Sequence, residues 1–149
     1  MKLLWITDRF PPERGGVAVS AARQVGALGS CLERLDVVRL ADDLAPGAAE
    51  IEVSGPVAVC RVGRASAADE SLQLLARTAS NLLARHGHTI VHGFSAVHAG
   101  YVATNVARTA GVASVVSLRG NDVDRAMFHG PRLECACSLR GWRSPIQTR

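Results

Sequence analysis

The sequence contains a single lysine, Lys2, and that scarcity excludes a large class of nucleotide enzymes. A phosphate-binding loop of the GxxxxGK[ST] kind needs a lysine beside its glycines to reach the phosphates. The dinucleotide fingerprint G-x-G-x-x-G is missing as well. No apolar run approaches the length of a membrane-spanning helix. The opening "MKLLWIT" meets Asp8 and Arg9 too soon to form a signal-peptide core. The expectation is a cytoplasmic protein with no transmembrane segment.

Aromatic residues make up only 4% of the chain, and nowhere do they interleave with a basic patch. The net charge of +4 therefore does not argue for nucleic acid. Every acidic residue lies at or before Glu134, whereas Arg140, Arg143 and Arg149 follow it. Without those three arginines the charge falls to +1. The cysteines are Cys31, Cys60, Cys135 and Cys137, and they offer no CxxC pair. They read as reduced, small apolar residues rather than zinc ligands, so no metal is expected.

What is present is a strand and helix alternation, in a chain of 149 residues that is 48% hydrophobic. Leu3 to Thr7 is a short continuous apolar run, as in a strand buried on both faces. Val17, Ala21, Val25, Leu28 and Leu32 follow at helical spacing. "LDVVRL" (35–40) and "PVAVCRV" (56–62) read as strands, with "ADDLAPGAAE" (41–50) as a loop between them. Residues 67–86 form a helix with an apolar stripe from Leu72 to Leu83, closed by Gly87. "TIVHGFS" reads as a strand ending near His92. A helix with Ala99, Val102, Ala103, Val106 and Ala110 on one face ends at Gly111, and "ASVVSL" is a further strand.

This order predicts an α/β fold, a Rossmann-like parallel sheet with helices on both faces. Ligands of such sheets bind beyond the carboxyl ends of the strands. "RFPPERGG", "HGFSAVH" and "RGNDVD" then share one rim. The double glycine, Gly15 and Gly16, leads into a helix N-terminus, where free N–H groups favour an anion. A simple turn needing positive φ explains it equally well. Ser95 follows Gly93 as in a nucleophile elbow, but Val97 stands where G-x-S-x-G needs glycine. Asp122 and Asp124 are better read as helix caps than as a metal-binding pair. His92 is the candidate catalytic residue because of its place near the rim.

The stretches "LLWITDRFPPERGGVAVSAARQ", "IVHGFSAVHAGYVATNVARTAGV" and "SVVSLRGNDVDRAMF" together resemble the N-terminal domain of the retaining glycosyltransferases of family 4, which have the GT-B architecture. The likeness covers residues 1–133. It implies transfer of a sugar from a nucleotide-sugar donor to an acceptor with retention, and no required metal. It also implies that Gly15 and Gly16 face the donor diphosphate. His92 and Ser95 then lie in the cleft, with Arg119, Gly120, Asn121 and Asp122 in the neighbouring acceptor-side loop.

Two departures accompany the likeness. Many members carry H-x-H in the fourth strand, and here the second position is Phe94. The donor-binding domain, with its two glutamates separated by seven intervening residues, has no counterpart in these residues. The expectation is a truncated chain with little or no activity alone, ending in an irregular tail over 134–149. The alternative is a stand-alone α/β module that binds a phosphorylated or sugar ligand without catalysis. Rim residues Phe94 and Phe128, left facing water, imply an apolar patch and self-association or peripheral membrane association.

Overall fold

The computed structural model describes residues 1–119. Gly120, Asn121, Asp122, Asp124, Phe128, Cys135, Cys137 and the tail over 134–149 lie outside the described residues. In chain order the elements are β1 (Lys2–Thr7), α1 (Gly16–Gly29), β2 (Arg34–Ala41), β3 (Ala49–Ser54) and β4 (Val57–Gly63). α2 (Ala68–His86), β5 (Ile90–Phe94), α3 (His98–Ala110) and β6 (Ala113–Val116) complete the described chain. They form a six-stranded sheet in the order β3-β4-β2-β1-β5-β6. All pairs are parallel except β3 with β4. The fold is α/β, as expected.

The continuous apolar runs explain why β1 and β2 occupy the centre. Each is buried along nearly its whole length, which requires cover on both faces. Leu3 and Trp5 point to the face covered by α1, in a cluster with Ala21, Val25, Leu35, Val37 and Phe94. Leu4 and Ile6 point the other way, into a cluster with Leu75, Leu82, Val102 and Val106 of α2 and α3. α2 and α3 each end on a left-handed glycine, Gly87 and Gly111, as their sequences indicate.

Three expectations need correction. The sheet is not wholly parallel, because the loop expected over 41–50 runs into an antiparallel edge strand, β3. Every residue of β3 is exposed, so the alternation of Glu50, Ile51, Glu52 and Val53 marks no buried face. α1 stops at Gly29, and Leu32 joins the same core from the turn that follows. β5 runs on to Phe94, which leaves His92 in mid-strand rather than at its end.

Candidate functional site

The sheet order changes direction beside β1. The β1–α1–β2 connection steps to one side, whereas the crossover through α2 returns the chain to the other side of β1 as β5. The chain leaves β1 for the α1 face and β5 for the α3 face of the sheet, and a switch point of this kind is where α/β sheets form a ligand crevice. One wall carries Asp8 to Gly16, and the other carries Ser95 and the start of α3.

Gly15 and Gly16 are exposed on this rim. Gly15 has φ +134, a region that favours glycine, whereas Gly16 is the first residue of α1 with ordinary φ. A Cβ added to either would meet nothing within 4 Å. α1 has no side-chain cap and no acidic residue in its first turn. Its first N–H groups lack intrahelical acceptors by the geometry of any helix. The site is open and bears partial positive charge.

The loop before the glycines is held from below. Arg39 is buried at the sheet, and its Nη1 donates to Glu13 Oε1 at 2.9 Å and to the Leu40 carbonyl at 3.1 Å. Burial pulls the Arg39 pKa down, and attraction to Glu13 opposes it. The more exposed Arg9 lies 3.6 Å from the other Glu13 oxygen. Across the crevice, Ser95 Oγ donates to Asp8 Oδ2 at 2.6 Å. Ser95 has φ 154, an unusual conformation for a residue other than glycine.

Gly93 and Gly100 are explained by packing, which accounts for the elbow-like look of "HGFSAVHAG". A Cβ on Gly93 would lie 2.5 Å from the Gly100 Cα, and one on Gly100 would lie 2.6 Å from the Ser95 carbonyl oxygen. Their bare backbones let α3 start directly against β5.

His92 is part of a half-buried group on the α1 face of the sheet. Its Nε2 lies 2.8 Å from Ser117 Oγ, and its ring meets Trp5 edge-on at 4.1 Å between centroids. Burial lowers its pKa, and the nearby Arg119 charge adds to the effect. The Arg119 guanidinium sits 3.7 Å over the Phe94 ring and reaches Gln24 of α1 at 3.5 Å. The expected apolar patch is corrected at Phe94, which is 0% exposed beneath this arginine.

The structure thus places Gly15, Gly16 and Ser95 in the connections that follow the carboxyl ends of the neighbouring strands β1 and β5. It sets His92 and Arg119 together on the α1 side, against Trp5 and Phe94. Sequence reasoning missed Asp8, Glu13 and Arg39. A charged residue inside the apolar run "LDVVRL" was the available signal, since a strand core tolerates charge only when it is paired.

The same signal applies to Asp36 at the other end of β2. Its Oδ2 lies 2.9 Å from His86 Nδ1 and 2.7 Å from His88 Nε2. Arg34 donates to both of its oxygens, at 2.7 and 3.0 Å. Burial works to raise the Asp36 pKa, but the hydrogen bonds from His88, Arg34 and His86 prevail and hold it well below the usual carboxylate range. Cys60 nearby is pushed up to about 11, first by burial and then by the Asp36 charge, which makes it an unreactive thiol. No helix among the described residues is long and apolar enough to cross a membrane.

A scan against protein-family models gives no match, and comparison with curated proteins gives none either.

Proposed function

We propose that this chain is the acceptor-side domain of a retaining glycosyltransferase of GT-B architecture, with the crevice between β1 and β5 as the place where the sugar-phosphate approaches. One observation carries the reading. The glycine turn at Gly15 and Gly16 opens at the point where the strand order reverses, above an uncapped helix start. A diphosphate there meets backbone N–H groups and a favourable dipole with no side chain in the way. In this role the domain contributes to transfer of a sugar from a nucleotide donor with retention.

The test is a titration of isotope-labelled protein with UDP-glucose, GDP-mannose and inorganic phosphate, followed by amide NMR shifts. Saturable shifts at Gly15, Gly16, Val17 and Ala18 are expected, with smaller ones at Ser95. Gly16→Ala should weaken the response while the rest of the spectrum is preserved. Shifts confined to other surfaces, or none with any of the three ligands, would overturn the reading.

One observation favours a second reading, a module that holds such a ligand without chemistry. Phe94 occupies the position at which the resembled family often carries a second histidine, and it is fully buried. Binding at the glycine turn, with no sugar transfer when a donor domain is supplied, supports this second reading over the first.

A further inference from the structure

We propose that Asp36, His86 and His88 form a binding site for a transition-metal ion, with Zn²⁺ the best match, at the end of the sheet opposite the glycine turn. One ligand atom from each residue lies within 4.8 Å of the others. The set is built into the fold. Asp36 comes from β2, His86 from the last turn of α2, and His88 from the short link into β5. Asp36 and His88 are buried, with side chains 2% and 0% exposed, and His86 is 19% exposed. Two imidazoles and one carboxylate are a borderline-soft donor set that suits zinc. Three protein ligands leave one position open.

The hydrogen bonding points the same way. Asp36 Oδ2 receives three donors, from Arg34 Nε, His86 Nδ1 and His88 Nε2. A carboxylate oxygen has two lone pairs, so this oxygen is oversubscribed. A metal ion relieves the crowding by replacing both imidazole protons. Oδ2 then serves the ion, while Oδ1 keeps its 3.0 Å bond from Arg34 Nη2. Arg34 becomes the group that orients the ligating carboxylate. His86 takes its proton onto Nε2 and His88 onto Nδ1. The His88 Nδ1 atom is buried without a partner among the described residues, so binding exchanges one orphaned nitrogen state for another.

The cluster reaches solvent at His86. His86 and Arg34 line a cleft of about 340 Å³ that also contains Lys2, Arg85 and Glu33. With Lys2, Arg34 and Arg85 around it, the fourth ligand should be an anion, hydroxide or a small oxyanion, rather than a neutral group.

The experiment uses the full chain and two ions. Equilibrium dialysis against Zn²⁺ should give one ion per chain. Co²⁺ should give visible bands of a low-coordinate nitrogen and oxygen site without a thiolate charge-transfer band. His86→Ala should lower affinity at least tenfold. His86→Gln, which can still donate to Asp36 but is a poor ligand, should do the same with circular dichroism and thermal midpoint close to those of the parent. No stoichiometric ion overturns the proposal. So does a thiolate band, which would put the ion on cysteine, or an affinity untouched by either substitution.

Discussion

Arg39 Nη1 donates to Glu13 Oε1 at 2.9 Å, joining a guanidinium buried in β2 to the loop that presents the glycine turn. The pair ties the sheet to the rim. Because Glu13 keeps partial contact with solvent, removing it costs less than breaking a fully enclosed pair. Glu13→Ala should destabilise the fold by about 1–3 kcal/mol, measured by urea unfolding. Amide exchange over 10–16 should accelerate more than elsewhere. Changing Arg39 to Leu in the Glu13→Ala background should recover part of the loss, because the orphaned charge is then gone. A double variant less stable than the single would show that the arginine is held by other groups.

Gly15 and Gly16 should separate cleanly. Ala at Gly15 must adopt φ +134 and should cost about 1 kcal/mol or more. Ala at Gly16 enters an ordinary helical position with open space and should be neutral or stabilising by up to about 1 kcal/mol. Thermal denaturation of both variants decides this. Equal losses would mean that the turn, not ligand access, explains both glycines.

Gly93 should tolerate nothing larger. Gly93→Ala places a methyl 2.5 Å from the Gly100 Cα and 2.8 Å from the Ala99 carbonyl oxygen. Both are backbone atoms, so α3 must shift. A loss of about 1–3 kcal/mol is expected, together with altered amide shifts from Ser95 to Val102. An unperturbed α3 would refute the close-packing account of "HGFSAVHAG".

His92 gives the fold a pH dependence of definite sign. Its folded pKa lies below the ordinary 6.5, first through burial and then through Arg119. The unfolded chain therefore binds the proton more readily, and stability from the neutral ring is present above 6.5 and lost as pH falls through the folded value. Urea midpoints from pH 7.5 down to 5 should decline more steeply in the parent than in His92→Gln. Parallel slopes would assign the acid sensitivity to other groups. An NMR titration should place the His92 midpoint below 6.5, and Arg119→Gln should raise it.

Much of the sheet was legible because its central strands are buried on both faces. Leu3 to Thr7 and "LDVVRL" could be little else, and Gly87 and Gly111 closed their helices where expected. β3 was not legible, because a strand exposed along its whole length carries no burial pattern. Its hints were the alternation of Glu50, Ile51, Glu52 and Val53 and the Gly55-Pro56 turn. The rim was legible at Gly15, Gly16 and Ser95. His92 was displaced by two residues, because Phe94 extends the apolar run of β5 and the strand continues with it. Glu13 meets Arg39, and Asp8 meets Ser95, only through the fold, at separations no local pattern encodes. The cluster at Asp36 joins residues as far apart as 36 and 88, for the same reason.

The place of β1 at the middle of the sheet also has a consequence in time. One of its edges is filled by β2, which begins at Arg34, while the other waits for β5, which begins at Ile90. During synthesis, β1 therefore spends the emergence of more than half the described chain with one row of peptide groups unpaired. Trp5 lacks its His92 and Phe94 neighbours for the same interval. The crevice is the last part of the central sheet to exist, because its second wall is made of late-arriving residues. A chain arrested after α2 exposes a sticky central edge, the state in which chaperone capture or misassembly competes with folding.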